Sequence, residues 1–360
     1  MKKYSFFVLV FAFLITENVF AQQKKNCVTD EKMQAIFNTD PQAKIRYQQS
    51  QKLLDAKLET YRSQRNLRAA RTNAIISIPV VIHIMTSNPT QITNAIVQRQ
   101  LDTLNKYYGA QSATDSLRVY APFQTTYGRS QIRFCLAQRT PSGGASAGIT
   151  RRTTTQTYSL GAGHPTAIVP AWNTQQYLNI WVVDFTDGTL GYSYFPGTFP
   201  PGDQRYGFVV DYRAFGSGAA YLDASYNQGK TAVHEIGHYF NLQHPWGGGS
   251  GSSSCTGTDN CSDTPPTEGP TFGCPAAPVL NACSATAPGV MWQNHMDYGD
   301  DACMLLFTAE QCLRMEVAVN TSPDRNTLFS SPGCQPYVPS PNDAGIDAIT
   351  QPTSGAVNCT

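Results

Sequence analysis

Residues 234–244 read HEIGHYFNLQH, and the spacing of their three histidines decides what the chain is built around. His234 and His238 lie four apart, so on an α-helix both imidazoles project from one face and can share one ion. A third ligand at His244 cannot continue that face at bonding distance, so the chain must turn back between His238 and His244. Asn241 stands where such a turn needs positive φ, and Asn tolerates that conformation best after Gly. Three neutral imidazoles leave a fourth tetrahedral position for water, the arrangement of a catalytic rather than a structural zinc site. Glu235, beside the first ligand, is then placed to take a proton from that water as general base. With 6 His and 7 Glu in 360 residues, chance produces this four-residue pattern in about 3 of 100,000 such chains. The other histidines carry no such signal: His83 sits in an apolar run and reads as a core residue, and His164 and His295 lack ligand-like spacing.

Outward from the motif, IISIPVVIHIM (75–85) is a continuous β-branched run typical of a buried strand, and a globular domain is expected to begin there. Residues 90–108 carry apolar side chains near helical spacing, and 132–137, 177–184 and 207–212 (GFVVDY) read as further strands. From Gly247 to about Gly289 the composition turns to Gly, Ser, Pro and Cys, which predicts an irregular region held by disulfides. A last helix is expected from Thr308 to about Val319, with Thr308 as N-cap and Gln311 completing a capping box. These elements predict an α+β domain over 72–335: a mixed twisted sheet and an active-site helix, then an irregular C-terminal subdomain.

On the N-terminal side, residues 1–21 pair two lysines with an apolar run from Phe6 to Ile15 and end at Ala21, the pattern of a signal peptide. That run is too short to span a bilayer, and no later stretch reaches the roughly 18–20 apolar residues a span needs. An exported chain not inserted in the membrane is expected. Residues 22–71 are polar, basic and helix-like, reading as a separate helical pro-segment that closes with Arg62, Arg65, Arg68 and Arg71, a series open to proteolytic cutting. Residues 336–360 read as a Pro-rich linker and the start of a truncated further domain. A formal charge of +1 gives no general attraction to nucleic acid or anionic membrane. Ten cysteines in an exported chain read as disulfides, and the absence of any C-x-x-C pair disfavours a cytosolic zinc finger.

Two motifs in order, HEIGHYFNLQH and NHMDYGDDACMLLFTAEQCLRM (294–315), make the chain resemble the pappalysins within the metzincin metallopeptidases, in their secreted, cytophagalysin-like bacterial form, over roughly Ile75 to Cys334. The resemblance implies a metzincin-like zincin fold and a zinc-dependent endopeptidase made as a latent zymogen. It implies that the second stretch is a Met-turn, with Met296 a packing base beneath the zinc and Tyr298 stabilising the oxyanion of the tetrahedral intermediate. By the same resemblance GFVVDY would be the edge strand that aligns an extended peptide substrate. It further implies disulfides pairing Cys261 with Cys283 and Cys274 with Cys303, and a structural calcium for which Asp259, Asp263 and Glu268 are oxygen donors. Solvated loop acids are the plain alternative for those three. Relatives that prefer Arg or Lys just after the scissile bond use an acidic pocket wall; Asp300 and Asp301 are followed by Ala302 and Cys303, and that preference is not carried over.

Cys135, Cys255, Cys312 and Cys334 would make two more bridges, and Cys359 would lack a partner if the chain is truncated. Cys27 is left, and a free thiolate is an excellent zinc ligand. The expectation is a cysteine switch, the sulfur occupying the water position until cleavage among Arg62 to Arg71; a structural disulfide is the rival. For the whole chain the rival is a non-catalytic, zinc-containing surface or adhesion protein, against which Glu235 argues, because a structural site closes its fourth position and has no use for that carboxylate. A zinc peptidase with a distant glutamate as third ligand is disfavoured by His244.

Overall fold

The strand that seeds the sheet, β1 (Ile76–Thr86), is apolar along nearly its whole length and buried from Ile78 onward, as a strand covered on both faces must be. In this computed structural model, which describes residues 27–63, 74–249, 251 and 254–338, β1 has three partners. The expected leader at 1–21, Arg65, Arg68 and Arg71, and the tail with Cys359 lie outside the described residues. On one side β1 pairs in parallel with β2 (Ile132–Leu136) and, further along, with β3 (Ile149–Thr153); on the other it pairs in parallel with β4 (Leu178–Val183). Next to β4 lies the parallel strand β6 (Phe208–Asp211), and β5 (Gly191–Ser193) runs antiparallel to β6 at the edge.

Two of these strands were not legible: β3 is mostly exposed and β5 is three residues long. The expectation that GFVVDY is the substrate-aligning edge strand is corrected. All four residues of β6 are buried between β4 and β5, the apolar signature of an interior strand, and the edge belongs to β5.

The β1 to β2 crossover contains α3 (Asn94–Tyr108), which starts four residues later than an uninterrupted helix from Thr90 would, because Thr93 caps it by accepting from Ile96 N and a 3-10 turn precedes it. It buries Ile96, Val97, Leu101, Leu104 and Tyr108, and a short α4 (Ala113–Arg118) follows. Helix α5 (Lys230–Tyr239) carries the first two histidines and is buried throughout, packed on β5, β6 and α3. Between α5 and α6 (Ala309–Thr321) the described chain has no helix or strand; it is tied by the Cys255–Cys283 and Cys274–Cys303 disulfides. The Thr308–Gln311 capping box is present at the start of α6.

The N-terminal helices α1 (Thr29–Thr39) and α2 (Pro41–Ser63) do not stand apart from the globular domain. Leu54 and Leu58 of α2 pack on Val317 of α6, and Arg314 of α6 forms an ion pair with Asp55 at 2.8 Å.

Candidate metal centre and active site

Helix α5 ends in a Schellman motif that aims the third histidine. Leu242 N donates to Gly237 O at 2.8 Å and Asn241 N to His238 O at 2.9 Å, with Asn241 at φ +74°. The turn sends the chain back so that His244 faces His234 and His238. His238 Nε2 lies 3.1 Å from both His234 Nε2 and His244 Nε2, and Cys27 Sγ lies 3.4 Å from His238 Nε2. All four side chains are buried, and their ligand atoms lie within 4.8 Å of one another.

The tautomers follow from the outer partners. His234 Nδ1 donates to His295 O at 2.8 Å, His238 Nδ1 to Leu242 O at 2.7 Å, and His244 Nδ1 to Asp30 Oδ2 at 3.2 Å. Each Nε2 therefore presents a lone pair, and lone pairs 3.1 Å apart repel unless a cation lies between them. A tetrahedron with metal–nitrogen arms of about 2.0–2.1 Å has edges of about 3.3–3.4 Å, close to these spacings. The donor set fits zinc: three neutral imidazoles with oriented outer hydrogen bonds and a thiol at the fourth corner.

Glu235 is buried beside the cluster, its Oε2 facing Cys27 Sγ at 3.6 Å and Thr29 Oγ1 at 3.3 Å. Room for it is made by Gly191: a Cβ there would sit 3.0 Å from Glu235 Cγ and 2.9 Å from Val209 O. Beneath the helix, Met296 is fully buried, and a Cβ on Gly237 would overlap its sulfur. Tyr298 Oη donates to Cys27 O at 3.1 Å while its ring packs edge-on against His244. Burial pushes the Tyr298 phenol well above its ordinary pKa, so it stays a neutral donor; burial and then Glu235 raise the Cys27 thiol.

Several groups at the site carried no sequence signal. Trp246 stacks on His244 with ring centroids 4.6 Å apart; an aromatic two residues past the last histidine was the only hint. Val28 N donates to Gly191 O at 3.1 Å and Ser193 N to Thr29 Oγ1 at 3.0 Å, so the residues after Cys27 lie on the β5 edge. Behind the turn, Arg314 Nε donates to Asn241 O at 2.8 Å and Gln51 Nε2 to Asn241 Oδ1 at 2.7 Å.

Other expectations need correction. Cys283 bonds to Cys255, not Cys261, and Cys261 is a buried thiol; Cys274 is bonded to Cys303. Of the two further bridges expected, Cys135–Cys334 forms, while Cys312 is a buried thiol on α6. The pairing implied by the resemblance fails here, because the irregular loop brings Cys255 rather than Cys261 beside Cys283. Asp259, Asp263 and Glu268 do not gather as a calcium site among the described residues. Asp259 closes a local turn by accepting from Cys261 N and Thr264 Oγ1, Asp263 accepts from Glu310 N at the start of α6, and Glu268 accepts from Ala282 N. His83 is a satisfied core residue between Thr150 Oγ1 and Asn179 Oδ1.

A mixed sheet over a helix bearing two histidines, a turn that returns a third and a methionine packed below are the marks of a metzincin-like zincin, and the chain is a zinc metalloendopeptidase made as a zymogen. The family described as Pregnancy-associated plasma protein-A, peptidase family M43, matches residues 166–320. An extracellular metalloprotease of Verticillium alfalfae is 31% identical over 266 residues, 70% of this chain and 80% of its own. Mature mirolysin of Tannerella forsythia, solved with a cleaved peptide, is 37% identical with a TM-score of 0.66, covering 74% of this chain and 99% of that one. A promirolysin mutant from the same organism is 34% identical with a TM-score of 0.70, covering 88% of this chain and 100% of that one. The chain belongs to this pappalysin family, and the reading as a non-catalytic surface protein is not favoured. Among the described residues no helix is long and apolar enough to cross a membrane.

Proposed function

We propose that His234, His238 and His244 hold the zinc, that Glu235 is the general base, and that Cys27 keeps the precursor latent at the fourth corner. A zinc ion bound there supplies a Lewis acid that polarises the scissile carbonyl and acidifies water. Glu235 takes the proton of the attacking water and passes it to the leaving amine. Tyr298, whose phenol holds the carbonyl of Cys27 in the precursor, donates to the oxygen on which negative charge develops. An extended protein or peptide substrate pairs with the β5 edge, where Val28 now bonds Gly191. The pro-segment is thus the enzyme's own inhibitor, removed by a cut among Arg62 to Arg71. Residues 1–21 direct export, and the matured enzyme works outside the cell.

The observation that carries this reading is the convergence of the three Nε2 atoms and the Cys27 sulfur around one point, with Glu235 against that sulfur. Cleavage of a mixed peptide library by the matured protein and by Glu235→Ala, with zinc measured on both, tests it. The expected result is a fall in activity of about 10²–10⁴-fold with zinc retained. A wild type that holds zinc and cuts nothing removes the mechanism.

A further inference from the structure

The pro-segment does more at the β5 edge than deliver a sulfur. One helical turn beyond Val28, Lys32 is 7% exposed although it carries an ammonium group. Its Nζ donates to Ala162 O at 2.9 Å and stands 4.8 Å from the centroid of the Tyr192 ring. Tyr192 is the middle residue of β5, flanked by Gly191 and Ser193, whose backbones bond Val28 and Thr29. Asp187, in the loop between β4 and β5, acts on the ammonium only across a longer distance than an ion pair, its carboxylate being held by Leu160 N at 2.6 Å and Thr189 N at 3.1 Å. His164, edge-on to Tyr192, is kept neutral by burial, its pKa lowered to about 3. A carbonyl oxygen and an aromatic face against one buried ammonium, with a fixed carboxylate further off, make a built seat for a cation.

The seat is made by residues of the catalytic domain, and only its occupant leaves when the pro-segment is removed. It also lies within reach of a substrate on the same edge. Val28 to Lys32 spans about 6 Å along α1, which an extended chain covers in about two residues. It is far in the chain from Asp300 and Asp301, whose segment packs at the start of α5, where Asp301 accepts from Gln228 N.

We propose that Tyr192, the Ala162 carbonyl and Asp187 form a substrate subsite for a lysine or arginine side chain a few residues from the scissile bond, which Lys32 fills in the precursor. This rests on the protease reading above, and adds a specificity determinant to it. The test is a set of peptides cut at one bond, in which each flanking position in turn carries lysine or its uncharged isostere norleucine. The matured enzyme should favour lysine by about tenfold in kcat/KM at a single position on one side of the bond. Asp187→Asn should lower that lysine-to-norleucine ratio at least twofold. Equal rates for lysine and norleucine at every flanking position overturn the subsite. Should no peptide be cut, the protease reading fails, and binding decides the seat separately. A peptide of residues 27–40 should then bind the matured chain about tenfold more tightly than its Lys32→Met counterpart, and equal affinities again overturn it.

Discussion

Asn241 shows how one side chain serves two structures. Its positive φ turns the zinc motif back on itself, and its amide oxygen and carbonyl are the atoms that Gln51 and Arg314 hold. Asp259 is legible in a different way, by what burial does to it. Burial raises its pKa from 3.8 to about 6. The fold therefore favours the protonated acid, so this contribution to stability is complete below about pH 4, is lost as the pH rises through 6, and is flat above. Asp259→Asn should remove about 2–3 kcal/mol of that pH dependence, seen as a flatter plot of denaturant-unfolding free energy between pH 4 and 6. An unchanged slope would show that the carboxylate ionises in the fold as it does in the open chain. Residue identity made the histidines and Glu235 readable, because coordination demands fixed chemistry at fixed spacing. Nothing comparable marks Trp246, Thr29 or Asp30, whose roles arise only when distant segments meet.

At the level of elements, the long ones were legible and the short ones were not. β1, α3, α5 and α6 announce themselves by burial runs, helical spacing or caps, whereas β5 has three residues and no pattern to read. That brevity moved the expected substrate edge onto β6. The helical pro-segment was legible as helix, but not its docking, because the Gln51–Asn241 and Asp55–Arg314 contacts join residues about 190 and 259 positions apart. Besides the pairing of Val28 and Thr29 with the β5 edge, two further holds follow, the sulfur at the histidines and α2 on α6, and these two should fail separately. Cys27→Ala should yield a precursor that cleaves peptides before any cut, with α2 still protected; a latent Cys27→Ala precursor would remove the switch. Gln51→Ala with Asp55→Ala should leave the precursor latent while amide exchange across residues 41–63 quickens about tenfold.

For the whole molecule, the sheet and the irregular half are secured by different means. The sheet is held by strand pairing and apolar burial, and the region from Gly247 to α6 by disulfides, turns and the apolar side chains it buries near its end, Met291, Leu305 and Leu306 among them. Cys135–Cys334 ties the end of the catalytic domain to β2, 199 positions earlier in the chain. Its loss in Cys135→Ser with Cys334→Ser should cost about 2–5 kcal/mol in denaturant unfolding, read as a lower midpoint at unchanged slope; a midpoint equal to wild type would mean the sheet alone fixes that end. The cysteine count pointed to such ties, but the pairing implied by the resemblance put Cys261 where the unpatterned loop brings Cys255.

The grip on Asn241 makes the precursor's two halves heirs of one another. Glycine would suit the backbone of that turn equally well, yet it offers no amide to Gln51, and the helix would lose one of its handholds. The bond from Arg314 to the backbone carbonyl would survive that exchange, so the turn could stay in place while the pro-segment's own hold on it was lost.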